Sequence, residues 1–490
     1  MFGKKPPIEP VRPKPMQSPE AYRTAPVPES DRPEEEKVLS TTKNTSVLFG
    51  DELHKMDIPL FKQDKMMIKL CGRDGSNRRV MIPFSEGMLA RHIMLIGGIG
   101  TGKTNAINQV LAELRSAMDD DYENDSVAII FDTKGDFYQT FYRPGDVVIS
   151  NDESATDEIG RSNYWNIFEE IQDGERMMES IIEISHSLFK EACTKTNQPF
   201  FPNAARDIFG AVLWHFMQTK TRSERTNKGL SKFLFSAQTG ELKRILNLYP
   251  QFRAMVSYIE KEDSAQTQGV LAELQQVIRQ FFVGNFNKYG TLGLKNLARK
   301  KGRRFVFIEY DLSLGSMLAP IYSLMFDLAI KESLGRDRTP GNVFFITDEF
   351  RLLPHLTHID DAVNFGRSLG IKFLIGIQNV EQIYECYGEQ RARSLMSGFL
   401  TTFSFRVTDQ SSRKHIQDTF GMNRKKDSFS NIIATKGLVE ETRDGYVVED
   451  WDITNLGLGQ AIIGMPGMHP FLFTFDRFDE KEYRKNYSLV

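Results

Sequence analysis

Gly97-Gly98-Ile99-Gly100-Thr101-Gly102-Lys103-Thr104 is the stretch that decides the fold. It fits the pattern G-x-x-x-x-G-K-[ST], in which backbone N–H groups surround the phosphates of a nucleotide. In this pattern the lysine reaches the β- and γ-phosphates, and the hydroxyl of the last residue holds Mg²⁺. We therefore expect all eight residues to bind ATP, with Lys103 also catalytic and Thr104 a magnesium ligand.

The flanking sequence supplies the context that this motif requires. An apolar run, Ile93–Ile96, comes directly before the loop and predicts a buried parallel strand. Apolar residues at positions 107, 110, 111 and 114 follow it at helical spacing. The N-terminus of the helix would point its positive end at the same phosphates.

Composition and charge describe an ordinary globular protein. The chain has 490 residues, a length that allows about two to four domains. Of these residues, 40% are hydrophobic and 26% are charged. A net charge of −3 gives no overall preference for nucleic acid, so any DNA contact must come from local patches. The cysteines form no C-x-x-C pair, which favours a reducing, cytosolic compartment. We see neither a signal peptide nor a run of about 18 apolar residues.

The pattern of apolar residues changes along the chain. Residues 1–45 are dominated by Pro, Glu, Lys and Ser and predict a disordered tail. Residues 66–82 predict a hairpin, and buried strands follow at 127–132 and 147–149. Residues 176–290 show only helical periodicity, with caps at Asn203 and near Ser264, and predict an inserted all-α domain.

Strand patterns return after residue 290, at 304–308, 343–346, 372–376, 402–405 and 461–464. Strands alternating with helices predict an α/β domain with a central, mostly parallel sheet, built from residues 46–175 and 291–490. Residues 422–450 are polar with few apolar pairs, and we expect a long surface loop or flap there.

A second phosphate-site motif lies in the returning strands. Val343-Phe344-Phe345-Ile346-Thr347 is an apolar strand that ends in Asp348 and Glu349. We expect Asp348 to hold Mg²⁺ and Glu349 to orient and polarise the attacking water. A glutamate directly after the aspartate favours ATP hydrolysis coupled to work over a small-molecule kinase.

Two further residues are candidates for catalysis. Gln378 ends the next strand, where a sensor of the γ-phosphate would lie; the alternative is a polar residue that only ends a strand. Arg367 precedes that strand and could reach the γ-phosphate of a neighbouring subunit, although spacing alone favours a surface ion pair.

Possible nucleic-acid contacts remain open. The aromatic-rich residues 281–289 could stack on bases, but core packing is the stronger alternative. Basic residues at 295–304 and 424–426 could line a channel and contact phosphates along it. The alternative is that each cluster is only a solvated surface.

With these residues in place, the chain resembles the type IV secretion coupling proteins of the TraD/TrwB type, relatives of the FtsK and HerA DNA translocases. The matching segments occur in family order over about residues 65–480, at 97–104, 131–136, 163–168, 199–206, 347–350, 364–370, 376–378 and 399–406. The resemblance implies a RecA-like ATPase that works as a homohexamer and moves DNA, single- or double-stranded, during conjugation. It implies that Arg367 is the arginine finger and Gln378 the motif glutamine, and that the all-α domain receives the relaxase–DNA substrate.

The sequence departs from the family pattern in two places. Family members usually begin with two transmembrane helices, whereas this chain has the Pro-rich stretch. We expect a cytoplasmic location at the inner face of the bacterial membrane, with indirect membrane contact through other secretion components. The proline usual after the acidic pair is displaced to Pro354, behind Arg351-Leu352-Leu353. Two alternatives to a DNA motor stay open: a secretion ATPase for protein substrates, and a nucleotide-gated adaptor that does not pump.

Overall fold

The large central sheet organises the structure, a computed structural model that describes residues 43–61, 65–120, 125–151, 163–310, 312–313, 315–335, 340–429 and 439–487. Most of the predicted tail lies outside these residues. The strands, numbered along the chain, are β1 (Lys43–Phe49), β2 (Met66–Arg73), β3 (Arg79–Ser85), β4 (Ile93–Ile96), β5 (Val127–Asp132), β6 (Val147–Ile149), β7 (Arg304–Glu309), β8 (Val343–Thr347), β9 (Ile371–Ile377), β10 (Thr401–Phe405), β11 (Met422–Phe429), β12 (Val439–Tyr446), β13 (Gln460–Gly464) and β14 (Phe471–Phe475).

Helices cover the sheet and fill the stretch between β6 and β7. They are α1 (Glu86–Leu89), α2 (Lys103–Asp120), α3 (Asp136–Phe141), α4 (Met177–Thr194), α5 (Phe200–Thr219), α6 (Asn227–Ser236), α7 (Thr239–Leu248), α8 (Ala265–Phe281), α9 (Leu294–Lys300), α10 (Gly315–Ser333), α11 (Ile359–Phe365), α12 (Val380–Tyr387), α13 (Glu389–Ser397), α14 (Gln410–Phe420), α15 (Asp450–Thr454) and α16 (Glu480–Tyr487).

The sheet is mixed and mostly parallel. Its order is β3-β2-β14-β13-β10-β4-β9-β8-β5-β7-β6. Successive neighbours from β10 to β6 are parallel, whereas β13, β14, β2 and β3 extend the sheet in antiparallel pairs. The α/β fold with a central, mostly parallel sheet and a helical region is therefore confirmed, as is the β2–β3 hairpin.

Both faces of the parallel strands are covered, which explains why these strands are mostly apolar and do not alternate between apolar and polar residues. In β4, Met94 and Ile96 pack into one hydrophobic core, and Ile93 and Leu95 pack into another on the opposite face. The first core continues into the helices between β6 and β7, and the second includes the apolar side of α2.

The region between β6 and β7 contains helices and no strand among its described residues, 150–151 and 163–303. The Ser264 hydroxyl accepts a hydrogen bond from the Thr267 N–H at 3.2 Å, which confirms the predicted cap of α8. The cap predicted at Asn203 is wrong, because α5 already begins at Phe200. The domain limits predicted at 176 and 290 stay a prediction.

The expected loop at 422–450 is wrong. Its described residues form β11, β12 and α15, and the two strands make a three-stranded sheet with β1 in the order β1-β11-β12. Lys426 pairs with Glu440 at 2.7 Å, and Arg443 pairs with Asp427 at 3.0 Å. Opposite charges on neighbouring strands stabilise the pairing of β11 with β12 without an alternation of apolar and polar residues. The hydrophobic periodicity of the sequence therefore does not indicate these two strands. Because β1 begins at Lys43, the last residues of the predicted tail are also a strand.

Most of the described chain, Val47–Lys425 with Asp444–Val490, belongs to one compact unit. The described residues 43–46, 426–429 and 439–443 belong to a second, small unit. No helix in the described part of the chain is long and apolar enough to cross a membrane.

A buried ion pair ties α2 to the edge of the sheet. The Arg115 guanidinium lies 2.5 Å from the Asp146 carboxylate, with side-chain exposures of 3% and 2%. Asp146 also accepts hydrogen bonds from the backbone N–H groups of Arg143 at 2.9 Å and Phe305 at 2.8 Å. These bonds satisfy a charge that would otherwise be costly to bury.

Candidate nucleotide site

The loop Gly97–Thr104 lies at the carboxyl end of β4, and α2 begins within it at Lys103. Gly102 has a φ of +114°, and a side chain there would place a Cβ 2.8 Å from the Gly459 Cα. Gly100 also has a positive φ, +72°. These positions require glycine, because L side chains rarely adopt such a backbone conformation. The conformation of the loop therefore depends on glycine at positions 100 and 102.

The loop presents backbone donors to its open side. We find no acceptor among the described residues for the N–H groups of Ile99, Gly100, Thr101 and Gly102. Ile99 itself is 85% exposed, so the tip of the loop is accessible. Unpaired N–H groups beside a helix N-terminus are the donors that a phosphate accepts.

Lys103 is buried and folded back over the loop. Its Nζ donates hydrogen bonds to the carbonyls of Gly97 at 2.5 Å and Gly98 at 3.1 Å. Burial lowers the pKa of Lys103, while the nearby charges of Asp348 and Glu349 oppose that effect. The ammonium group is therefore already positioned beside the place where phosphate oxygens would lie.

Thr104 and Asp348 come together as the magnesium prediction requires. The Thr104 hydroxyl donates a hydrogen bond to Asp348 Oδ2 at 2.6 Å. The other carboxylate oxygen, Oδ1, is buried and has no hydrogen-bond partner in the described part of the chain. Mg²⁺ prefers hydroxyl, carboxylate and water oxygens, so this pair fits the ion.

Glu349 is held from two sides. Its Oε2 accepts a hydrogen bond from Gln378 Nε2, and its Oε1 accepts one from Arg351 Nε at 3.0 Å. Burial raises the pKa of Glu349, and Arg351 and Gln378 counteract part of that rise. Gln378 reaches Glu349 because β9 lies beside β8 and runs parallel to it, so both residues are at the same edge of the sheet.

Comparison with known proteins identifies the family. A sequence profile described as the type IV secretion-system coupling protein DNA-binding domain matches residues 79–472. The chain belongs to this family. Coupling protein TraD from Escherichia coli (strain K12) is 24% identical over 348 residues, which are 69% of this chain and 45% of TraD. The chain thus spans about half the length of this curated relative.

Solved structures of a coupling protein share the fold. The unbound monoclinic form of the bacterial conjugative coupling protein TrwBdeltaN70 matches with a TM-score of 0.67 and 18% identity, over 85% of this chain and 90% of that one. The plasmid coupling protein TrwB in complex with ADP and Mg²⁺ matches with a TM-score of 0.61 and 18% identity, over 81% and 88% of the two chains. The fold of this coupling protein is thus TrwB-like.

Arg367 does not join the other predicted site residues. It lies in the 3₁₀ turn Gly366–Leu369, before β9, whereas Gln378 follows β9. The seven residues of β9 span about 23 Å. Arg367 therefore lies at the amino-terminal ends of the parallel strands, whereas the phosphate loop lies at their carboxyl ends. Its side chain is exposed, and we find no ion pair for it within the described residues. Arg367 could therefore reach a γ-phosphate only in another copy of the chain.

Two residues near the site were not predicted. Arg351 contacts Glu349 through the short turn after β8, a contact for which the sequence gives no periodic signal. Lys134, in the turn after β5, lies close enough to contribute to the lowered pKa of Lys103. The segment 131–136 matched the family pattern, and that match could have identified Lys134.

The described residues also bear on the open nucleic-acid alternatives. Phe281 and Phe286 are buried in the hydrophobic core, which supports core packing, and Tyr289 is the only aromatic residue of this stretch that is exposed. Lys295 and Lys301 are buried and donate to backbone carbonyls, so residues 295–304 do not form a continuous basic surface.

Proposed function

We propose that this coupling protein is an ATP-hydrolysing motor that recruits DNA, with an attached relaxase, and moves it into a type IV secretion or conjugation channel. The observation that supports it is the convergence of Lys103, Thr104, Asp348, Glu349 and Gln378 at one edge of the sheet. TrwB, which shares the fold, has been solved with ADP and Mg²⁺ and with a non-hydrolysable ATP analogue. The family profile, named for a DNA-binding domain, supports DNA as the substrate.

Each residue has a defined part in hydrolysis. The N–H groups of Gly97–Thr104 hold the phosphates, and Lys103 leaves the loop carbonyls to neutralise charge on the β- and γ-phosphate oxygens. Mg²⁺ bound by Thr104 and Asp348 would neutralise further phosphate charge. Glu349 orients a water molecule towards the γ-phosphate and accepts its proton, and Gln378 fixes the direction of the Glu349 carboxylate.

We also propose that the sites are completed by neighbouring copies in a homohexamer. Arg367 is too far from the phosphate loop of its own chain, so any contact with a γ-phosphate requires a second subunit. An arginine contributed in this way stabilises the charge that develops in phosphoryl transfer. Contact with the membrane through other subunits of the secretion system is part of the proposal, as is recruitment through the helices between β6 and β7.

The test compares ATPase activity in two site variants, with and without DNA. Lys103→Ala should lose nucleotide binding and turnover, whereas Glu349→Gln should keep nucleotide binding and lose turnover. Lys195→Ala is the matched control, because Lys195 is exposed and pairs only with Glu191 on α4 among the described residues. Hydrolysis at the wild-type rate by either site variant would contradict the assignment of these residues.

A further inference from the structure

Glu349, the residue proposed to activate the attacking water, is restrained by a side chain that has no part in the proposed reaction. Arg351 Nε donates to Glu349 Oε1 at 3.0 Å while Gln378 occupies Oε2. Among the described residues Arg351 has no other ion pair. A carboxylate engaged by a guanidinium is a weaker base and is less free to bind a water molecule.

The backbone around Arg351 is held by packing and a hydrogen bond, whereas its side chain is partly exposed and contacts Glu349 alone among ionised groups of the described residues. The Phe350 ring stacks on Tyr387 with centroids 5.6 Å apart, and the Tyr387 hydroxyl donates to the Leu353 carbonyl at 2.6 Å. The Arg351 side chain is 42% exposed, in contrast to 12% for Glu349. Release of Glu349 Oε1 therefore requires only a change of the Arg351 rotamer, while Gln378 stays bound to Oε2.

We infer that Arg351 is an autoinhibitory latch, which holds Glu349 in a resting state until a phosphate anion draws the guanidinium away. A guanidinium binds phosphate through two parallel hydrogen bonds, and a triphosphate or a nucleic-acid backbone presents several closely spaced charges against the single charge of a carboxylate, so phosphate can compete for it. The phosphate is that of the bound triphosphate or that of a nucleic-acid backbone. The inference rests on the proposed ATPase function and adds a regulation of that site.

The experiment measures kcat and KM for ATP, with and without DNA, in Arg351→Ala and Arg351→Gln. We expect kcat without DNA to rise about fivefold, which corresponds to about 1 kcal/mol for a partly exposed ion pair. KM should change little if the competing phosphate is that of a nucleic-acid backbone and should rise if it is that of the triphosphate, and Arg351→Lys should restore much of the wild-type restraint. The matched control is Arg484→Ala, since Arg484 is 48% exposed and pairs with Glu480 on α16.

Binding measurements separate the two sources of phosphate. The nucleic-acid backbone is the source of the phosphate if kcat rises, the stimulation by DNA becomes smaller, and the preference for a non-hydrolysable ATP analogue over ADP stays unchanged. A rise in kcat with a reduced preference for the analogue identifies the triphosphate.

The latch and the motor can fail separately. If the wild type hydrolyses ATP but both neutral variants show unchanged or reduced kcat without DNA, the latch is overturned and the motor stands. If neither the wild type nor the Arg351 variants hydrolyse ATP, with or without DNA, the proposed function itself is overturned.

Discussion

His92, directly before β4, is a buried histidine whose neutral form satisfies both ring nitrogens. Its Nδ1 accepts a hydrogen bond from the Phe373 N–H at 3.1 Å, which leaves Nε2 to donate to the Val363 carbonyl at 3.1 Å. Burial is the main cause that lowers the pKa of His92 from 6.5 to about 4; the charge of Lys372 contributes to this shift, and the hydrogen bond to the Val363 carbonyl opposes it. Protonation of Nδ1 would break the bond to β9 and place a charge in the core.

Stability should therefore fall as the pH falls. In the unfolded chain His92 binds a proton below pH 6.5, whereas in the folded chain it stays neutral down to about pH 4. Because the unfolded state binds more protons in this window, stability is lost on acidification. At pH 5, about 1.5 units below the unfolded pKa, the loss is about 2 kcal/mol at 1.36 kcal/mol per unit.

The assay compares the free energy of urea unfolding from pH 7 to pH 5 in the wild type and His92→Asn. Asparagine tolerates the φ of +56° at this position but does not titrate. We expect the wild type to lose about 2 kcal/mol more than His92→Asn over this range. His469→Asn, at an exposed histidine, should follow the wild type.

Parallel pH profiles for the wild type and His92→Asn would refute the reasoning. A direct check is NMR of histidine labelled with ¹³C, in which the resonance missing from His92→Asn is that of His92. That resonance should not titrate between pH 8 and pH 5, and a midpoint near 6.5 would also refute the account.

Two further predictions concern the core and the subunit interface. Asp146→Ala should destabilise the protein by about 3–5 kcal/mol, measured by urea unfolding, because it leaves the buried Arg115 charge unpaired; a cost below about 1 kcal/mol would contradict this. Mixing inactive Arg367→Ala subunits with inactive Lys103→Ala subunits should restore part of the ATPase activity. One type of mixed interface then has both the lysine of one subunit and the arginine of its neighbour. No recovery in a ring shown to contain both subunits would argue against action of Arg367 on a neighbouring site.

The core of the site could be predicted because its motifs are local. Lys103 and Thr104 lie within one loop, and Asp348 follows an apolar strand, so residue type and spacing were enough. Gln378 reaches Glu349 because β9 lies beside β8. The pattern of alternating strands and helices is compatible with this strand order but does not determine it. The place of Arg367 follows from strand direction, because a residue before a parallel strand lies at the edge opposite to a residue after it.

The remaining features depend on contacts that periodicity does not record. Arg351 reaches Glu349 only because the chain turns in a short 3₁₀ helix after β8. The strands β11 and β12 are charged along much of their length, so neither face shows the apolar alternation by which strands are recognised.

We propose that this coupling protein is a DNA-stimulated ATPase that works as a ring. The most direct measurement is the ATPase rate per subunit against protein concentration, alone and with single- or double-stranded DNA, with Glu349→Gln as the control. The rate per subunit should rise steeply with concentration as sites are completed by neighbours, should be stimulated by DNA, and should be absent from Glu349→Gln. Negligible turnover by the wild type at every concentration, despite binding of ATP and DNA, would contradict it.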